Sequence, residues 1–431
     1  MRSEDFYTTY LQYPQICTDS RRVKPGCLYF SLRGDHFNGN LFAADALEQG
    51  SALAIVDDPS IVKDDRYILV PDVLSFLQEL ASYHRTQLKI PVIALTGTNG
   101  KTTTKELIHS VLRQKYQTIA TAGNFNNHIG VPLTLLSANQ DTEILIVEMG
   151  ANHPLEIEFL CKIAKPNAGL ITNIGKAHLE GFGSFEGVVS TKNELYDSIK
   201  SNGGKLFVNQ DDDLLVKLAG SYPFYSYGTS ENADTCGSAI HRDRFLEVAW
   251  TRRGSNNLTK VSSHLTGGYN LYNILAAISI GDWLGLTPDQ INTGIESYVP
   301  GNMRSQWLQT SSNNLLLDAY NANPSSMSLA VENFSLLHLP RQIVILGDMF
   351  ELGEHSAAEH LSIIRQADLL DFEEIIFVGP RFFKCSTGFL HSFFKNIDDL
   401  KEYLSAAKFN SCNILIKGSR GMQLEQLVDY L

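Results

Sequence analysis

The chain predicts an α/β protein of three domains: a small N-terminal α/β domain over residues 1–90, a central parallel-sheet domain over 91–300 and a C-terminal Rossmann-like domain over 301–431. Three observations carry that prediction. A length of 431 residues with 43% hydrophobic content supports more than one buried core, because domains run to about 100–200 residues. Short continuous apolar runs alternate with helix-like stretches, as expected of strands buried on both faces of a parallel sheet. The pattern restarts near Pro91 and again after Pro300 and Gly301.

Each element has its own signal. In the first domain, β-rich runs at 27–32 and 52–56 flank a helix-like 41–49. From Pro91, apolar strands are predicted at 91–95, 143–148, 169–173 and 205–209, with a helix at about 269–284. The next helix starts at Thr287, whose hydroxyl can cap it; Pro288 fits the first turn and Gln290 completes a capping box. In the last domain, 342–346, 374–378 and 413–417 mark a doubly wound unit.

Composition excludes several classes. A formal charge of -12 argues against a nucleic-acid partner, whose phosphates need a basic face. No stretch approaches the roughly 18 apolar residues of a membrane span, and the first residues lack the order of a signal peptide, so a cytoplasmic protein without membrane insertion is expected. The six cysteines, at 17, 27, 161, 236, 385 and 412, show no C-x-x-C spacing and read as reduced thiols.

Residues 91–104 carry the strongest chemical signal: an apolar strand, a turn bracketed by Gly97 and Gly100, then Lys101, Thr102 and Thr103 opening a helix. Glycines let successive N–H groups of the loop, with Thr98 and Asn99, point inward, and the helix dipole adds positive potential, so the segment reads as a polyphosphate cradle. Lys101 can reach the β/γ-phosphates, and the Thr102 hydroxyl can ligate the Mg2+ that accompanies ATP. The first glycine of the usual Gly-x-x-x-x-Gly-Lys-Thr loop would fall at Leu95, so the spacing is a variant. A plain glycine turn would need neither Lys101 nor the hydroxyl after it.

Three further residues are candidates with two readings each. Glu148 closes an apolar strand, where it is either a Mg2+ ligand or an exposed strand-end residue. His178 follows strand 169–173 after a glycine turn and is either structural or a metal ligand. Lys192 reads from chemistry alone as a solvated helix lysine.

Together these segments resemble the Mur ligase family over almost the full length. The family motif Thr-Gly-Thr/Ser-Asn-Gly-Lys-Thr stands at 96–102. Gly-Asn-Phe-Asn-Asn at 123–127 leading to 130–134, Glu-Met-Gly-Ala-Asn at 148–152, Asp-Ala-Tyr-Asn-Ala-Asn-Pro at 318–324 and 347–354 resemble in particular the family member that adds D-alanyl-D-alanine to a UDP-N-acetylmuramoyl-tripeptide. The resemblance implies an ATP-dependent ligase acting through an acyl phosphate, with those two substrates as its partners, and a monomer. Its siblings, the amino-acid-adding Mur ligases and folylpolyglutamate synthetase, are the alternatives. A nucleotide switch is the alternative from another class, although no Asn-Lys-x-Asp guanine motif occurs.

The resemblance also implies roles. ATP phosphates lie on 97–103; two Mg2+ are held by Thr102, Glu148, His178 and a carbamylated Lys192. Asn270 and Asn273 touch adenine, while Arg304 and Asp318 reach phosphates and ribose from the third domain. Many relatives carry a Gly-Arg pair where this chain has Gly-Asn-Met-Arg at 301–304. Thr18, Asp19, Ser20 and Arg21 fit a uridine diphosphate site, or a surface turn. Asn124, Asn126 and Asn127 face the muramoyl precursor, or stabilise tight turns. Tyr320, Asn321 and Asn323 hold the dipeptide, or form a turn ahead of Pro324. Asp348, Glu351 and Glu354 are solvated loop acids, or line the dipeptide side.

Overall fold

The first sheet is parallel throughout, in the order Ile16–Cys17, Leu28–Phe30, Leu53–Val56, Tyr67–Leu69. This computed structural model describes residues 2–177, 179–242, 244–255 and 257–431, so the metal-ligand expectation for His178 lies outside the described residues. Helix Ala43–Glu48 packs on one face against Tyr29, Ala54 and Val56. Helices Ser3–Gln12 and Val73–Gln87 cover the other, where Phe6 and Phe30 both meet the Phe76 ring.

The central sheet has nine strands. In order they are Thr259–Ser262, Leu246–Arg252, Thr235–Arg242, Phe224–Gly228, Lys205–Asn209, Ala168–Ile171, Val92–Thr96, Ile144–Glu148 and Thr118–Ala120. The seven from Thr235–Arg242 to Thr118–Ala120 are parallel, as the apolar runs predict. The first two named, Thr259–Ser262 and Leu246–Arg252, join by antiparallel pairing, a departure from the purely parallel expectation. Leu246–Arg252 mixes buried with half-exposed residues, and a hairpin needs no crossover helix, so this edge extends the sheet by antiparallel pairing. Helix Lys101–Leu112 is sandwiched between that sheet and helix Asn270–Trp283, which is buried almost all round as its uniformly apolar sequence requires. The capping box at Thr287 and Gln290 forms as expected.

The third sheet runs Gln306–Gln309, Asn314–Asp318, Asn413–Lys417, Gln342–Gly347, Glu374–Val378, Ser392–Phe394, parallel except for its first strand. Helices Pro324–Ser335 and Ser356–Asp368 cover one face and Ile397–Ala407 the other. The C-terminal ends of two neighbouring strands set Asp318 beside Lys417, where doubly wound sheets bind ligands. No described helix is long and apolar enough to cross a membrane, and the six cysteines are free.

The first and central domains are fastened by a buried guanidinium. Arg85 donates to the carbonyls of Ala164 (2.9 Å), Leu88 (2.9 Å) and Lys165 (3.1 Å) and to Asn167 Oδ1 (2.9 Å). Lys165 is the left-handed cap of helix Glu156–Ala164, so Arg85 satisfies carbonyls that a helix end leaves open. Arg85→Met keeps the apolar stem and strands these acceptors; stability should fall by about 3 kcal/mol. An unchanged urea midpoint would show that the contact does not hold the domains together.

Candidate active site

The strand Val92–Thr96 delivers the chain into a loop with two left-handed glycines. Gly97 has φ +147° and Gly100 has φ +76°; a Cβ at Gly97 would collide with Thr172 Oγ1, and one at Gly100 would stand 2.7 Å from Asn273 Oδ1. Thr98 N donates to Asn173 O (2.9 Å) and Asn99 N to Asn173 Oδ1 (3.0 Å), which fixes the turn. Lys101 Nζ folds back onto the carbonyls of Gly97 (2.7 Å) and Thr98 (3.0 Å). Burial pushes its pKa down to about 8, against the pull of Glu148, and Arg304 lowers it further. The ammonium therefore remains largely charged at pH 7. Thr103 lies in the next turn, at the cavity wall.

Glu148 is 1% exposed, which removes the exposed strand-end reading. Its Oε1 accepts from Thr102 Oγ1 (3.2 Å) and Asn126 Nδ2 (2.9 Å), while Oε2 is buried without a hydrogen-bond partner. An orphaned carboxylate oxygen next to a threonine hydroxyl is a hard-oxygen donor set that fits Mg2+. Among the described residues no cluster of three His, Cys, Asp or Glu side chains stands ready to hold a metal.

Lys192 is 3% exposed on helix Phe185–Ser201, so the solvated-lysine reading fails. Its Nζ lies 5.7 Å from the centre of the Phe182 ring. Burial first, and the Lys101 charge second, push it down to about 7.

A cavity of about 530 Å3 opens over the loop, between the central and third domains. Asn124, Asn126 and Asn127 line one wall. Asn127 Oδ1 accepts from Ile129 N (3.1 Å) and Gly130 N (2.9 Å), a turn-stabilising role at the start of helix Gly130–Leu136, whereas Asn126 braces Glu148. On the helix Asn270–Trp283, Asn273 accepts from Thr104 Oγ1 (3.0 Å) and donates to Asn270 Oδ1 (2.8 Å). Asn270 Nδ2 donates to Thr266 O (2.8 Å), so this pair props the loop from behind while lining the cavity.

The third domain supplies the facing wall. Arg304 stacks on Tyr320, 3.7 Å from the ring centre, and its neighbours Asn302, Met303 and Ser305 all have left-handed φ. Such a run of non-glycine residues is strained, and strain of this kind gathers at functional sites. Ser305 N donates to Asp318 Oδ1 (3.1 Å), and Lys417 Nζ meets Asp318 Oδ2 at 2.5 Å. Asn321 Oδ1 accepts from Ala322 N (2.9 Å), and Asn323 caps helix Pro324–Ser335 through Ser326 N (2.8 Å).

Thr18, Asp19, Ser20 and Arg21 lie on the first domain, after strand Ile16–Cys17. Asp19 accepts from Arg21 N (3.0 Å) and from its guanidinium (2.9 and 2.8 Å), and these bonds hold its carboxyl down to about 2. Asp348 departs from the loop-acid expectation. It is fully buried and accepts from Arg381 N and Phe382 N (both 2.9 Å), closing the first turn of helix Pro380–Lys384.

Three functional side chains escaped sequence reasoning. Lys417 is 2% exposed and ends a buried strand; the Lys-Gly-Ser that follows the apolar run 414–416 was its signal. Lys105 is fully buried and donates to Thr121 O (2.6 Å), while Thr121 Oγ1 accepts from Glu148 N (3.0 Å), so it anchors the strand end that carries Glu148. Ser325 reaches the phosphate loop across the domain boundary and has no local signal.

Comparison with known proteins gives matches over each domain. The family model described as Mur ligase family, catalytic domain, matches 12–90; Mur ligase middle domain matches 95–281; Mur ligase, glutamate ligase domain, matches 303–420. The UDP-N-acetylmuramoyl-tripeptide--D-alanyl-D-alanine ligase of Bacillus subtilis (strain 168) is 34% identical over 426 residues, covering 96% of this chain and 92% of that protein. MurF from Acinetobacter baumannii superposes with a TM-score of 0.86 at 31% identity, over 96% of this chain and 92% of the other. MurF ligase from Thermotoga maritima, solved in complex with ADP, gives 0.83 at 27% identity over 97% of both chains. Matched in all three domains and by relatives of its own length, this chain belongs to the Mur ligase family.

Proposed function

We propose that this chain is the ATP-dependent ligase that joins D-alanyl-D-alanine to a UDP-N-acetylmuramoyl-tripeptide, in cytoplasmic synthesis of peptidoglycan precursors. The observation that carries this reading is full-length similarity to ligases of that name, combined with a phosphate loop whose carboxylate partner and facing basic wall converge on one cavity. The Asp-Ala-Tyr-Asn-Ala-Asn-Pro segment at 318–324 favours it over the sibling ligases.

A free carboxylate is too poor an electrophile for an amine. The tripeptide carboxylate therefore takes the γ-phosphoryl group of ATP, forming an acyl phosphate and releasing ADP. The deprotonated dipeptide amine attacks that carbonyl, and phosphate leaves. Loop 97–103 binds the ATP phosphates, and Lys101 swings from its carbonyl partners to the charge that develops on the transferring group. Arg304 and Asp318 contact nucleotide from the third domain; Asn270 and Asn273 sit at the base side. Thr102, Glu148 and His178 would hold one Mg2+ and Lys192 a second, and these ions supply neutralisation of phosphate charge when bound.

The depressed pKa of Lys192 supports its carbamylation. A neutral amine adds to carbon dioxide and loses a proton, leaving a carboxylate where an ammonium would repel a cation. Asn124, Asn126 and Asn127 face the muramoyl precursor, whose uridine diphosphate would rest on the turn 18–21. Tyr320, Asn321 and Asn323 border the dipeptide side. Closing the cavity keeps water from the acyl phosphate.

The test is ADP release by the purified chain. Sustained release over many turnovers should require the uridine-linked tripeptide and D-alanyl-D-alanine together. Release that ignores both would make the chain a nucleotide switch instead.

A further inference from the structure

The phosphate loop uses its backbone inside the central domain and one side chain outside it. Asn99 N donates to Asn173 Oδ1 (3.0 Å), and Asn99 O accepts from Thr172 Oγ1 (2.6 Å) and Asn173 Nδ2 (3.0 Å). The turn is therefore held without the Asn99 carboxamide. That carboxamide reaches the third domain. Its Nδ2 donates to Ser325 Oγ, its Oδ1 accepts from Asn323 Nδ2, and Ser325 Oγ donates to Asn323 Oδ1, all at 2.9 Å. The three side chains close a ring in which every member both donates and accepts, an arrangement whose bonds polarise one another.

Both ends of the ring are rigid. Asn323 is the N-cap of helix Pro324–Ser335, so the ring is tied to the axis of that helix. Ser325 Oγ lies 3.1 Å from where a Cβ on Gly175 would stand, and Gly175 N donates to Thr98 Oγ1 (3.0 Å), so the slot that receives the serine is built on the loop as well. Other bridges join the same two domains through segments outside the loop: Gly268 N to Asn333 Oδ1 (2.9 Å), Trp307 Nε1 to Thr266 Oγ1 (2.6 Å), the Tyr269 and Ser305 hydroxyls (3.2 Å) and Lys176 to Glu359 (3.6 Å).

We propose that the Asn99–Asn323–Ser325 ring is the latch through which the phosphate loop fixes the docked position of the third domain, and that within it Ser325 acts as a positioning residue rather than through ligand contact. The inference rests on the ligase reading. Lys101 and Thr102 come from one domain and Arg304 and Asp318 from the other, so in-line transfer depends on the domains keeping register, and small misplacements cost rate steeply. Nucleotide binding to the loop backbone does not depend on the ring.

Asn99→Ala and Ser325→Ala, alone and together, test the latch. Each single variant should lower kcat about tenfold, the worth of one hydrogen-bond node. The double variant should be no slower than the worse single, because either change opens the ring. In Ser325→Ala, which lies outside the nucleotide loop, ADP affinity should stay within about twofold. Small-angle scattering with ADP bound reads the latch without turnover, and both variants should give a larger radius of gyration than the wild-type chain. Unchanged kcat and radius, effects that multiply in the double variant, or ADP affinity that falls in step with kcat would each overturn the latch. A wild-type chain that makes no product would overturn the ligase reading instead, and the scattering comparison would still decide the latch.

Discussion

Lys101→Ala should lower kcat by about a hundredfold or more while leaving the protein folded, because on the proposed mechanism the variant removes the charge that meets the transferring phosphoryl group. The structure explains why folding is spared. Among the described residues, Lys101 Nζ bonds the carbonyls of its own loop, Gly97 and Thr98, and the turn itself is fixed by Asn173 and Thr172. Steady-state kinetics and a thermal melt measure both parts. Near-normal turnover would show that this loop is not the catalytic cradle.

Lys192→Ala should be equally damaging, at least about a hundredfold, because on the proposed carbamylation the variant would remove an anionic ligand for a second Mg2+. The vacated space is buried and bounded by the Phe182 ring, so a small carboxylate can enter it and present two oxygens. Acetate or formate should restore part of the activity, and chloride at matched ionic strength should not. A variant that remains active, or that chloride rescues as well as acetate does, would reduce Lys192 to a buried structural lysine.

Much of the fold was legible because its strands are buried on both faces and announce themselves as apolar runs. Val92–Thr96, Ile144–Glu148, Lys205–Asn209 and Asn413–Lys417 fall where those runs predict. The antiparallel pairing at 246–262 was not legible, since strands that mix buried and exposed residues carry no continuous apolar signal. In the site, the phosphate loop was readable from Gly97, Gly100, Lys101 and Thr102 alone, because glycine, charge and hydroxyl sit in one short segment. Glu148 was ambiguous for a physical reason. A strand-end carboxylate is buried or exposed according to what covers it, and Thr102 and Asn126 arrive from other segments.

Lys192 misled in the same way. Its neighbours Asn193 and Glu194 suggest a solvated face, yet that helix position turns inward. Contacts between distant segments left no local trace at all. Lys417 meets Asp318 only through the register of two parallel strands, and Asn99 meets Asn323 across a domain boundary.

The central claim is the identity of the joined product, and mass spectrometry of a single reaction tests it. The purified chain would be incubated with ATP, Mg2+, D-alanyl-D-alanine and each of several UDP-N-acetylmuramoyl-tripeptides differing in their third residue. The account predicts that one or more tripeptides gain the mass of the dipeptide less one water, with one ADP formed per product. Extension of a UDP-muramoyl dipeptide by a single amino acid, or of a folate by glutamate, with no product from any tripeptide, would contradict it.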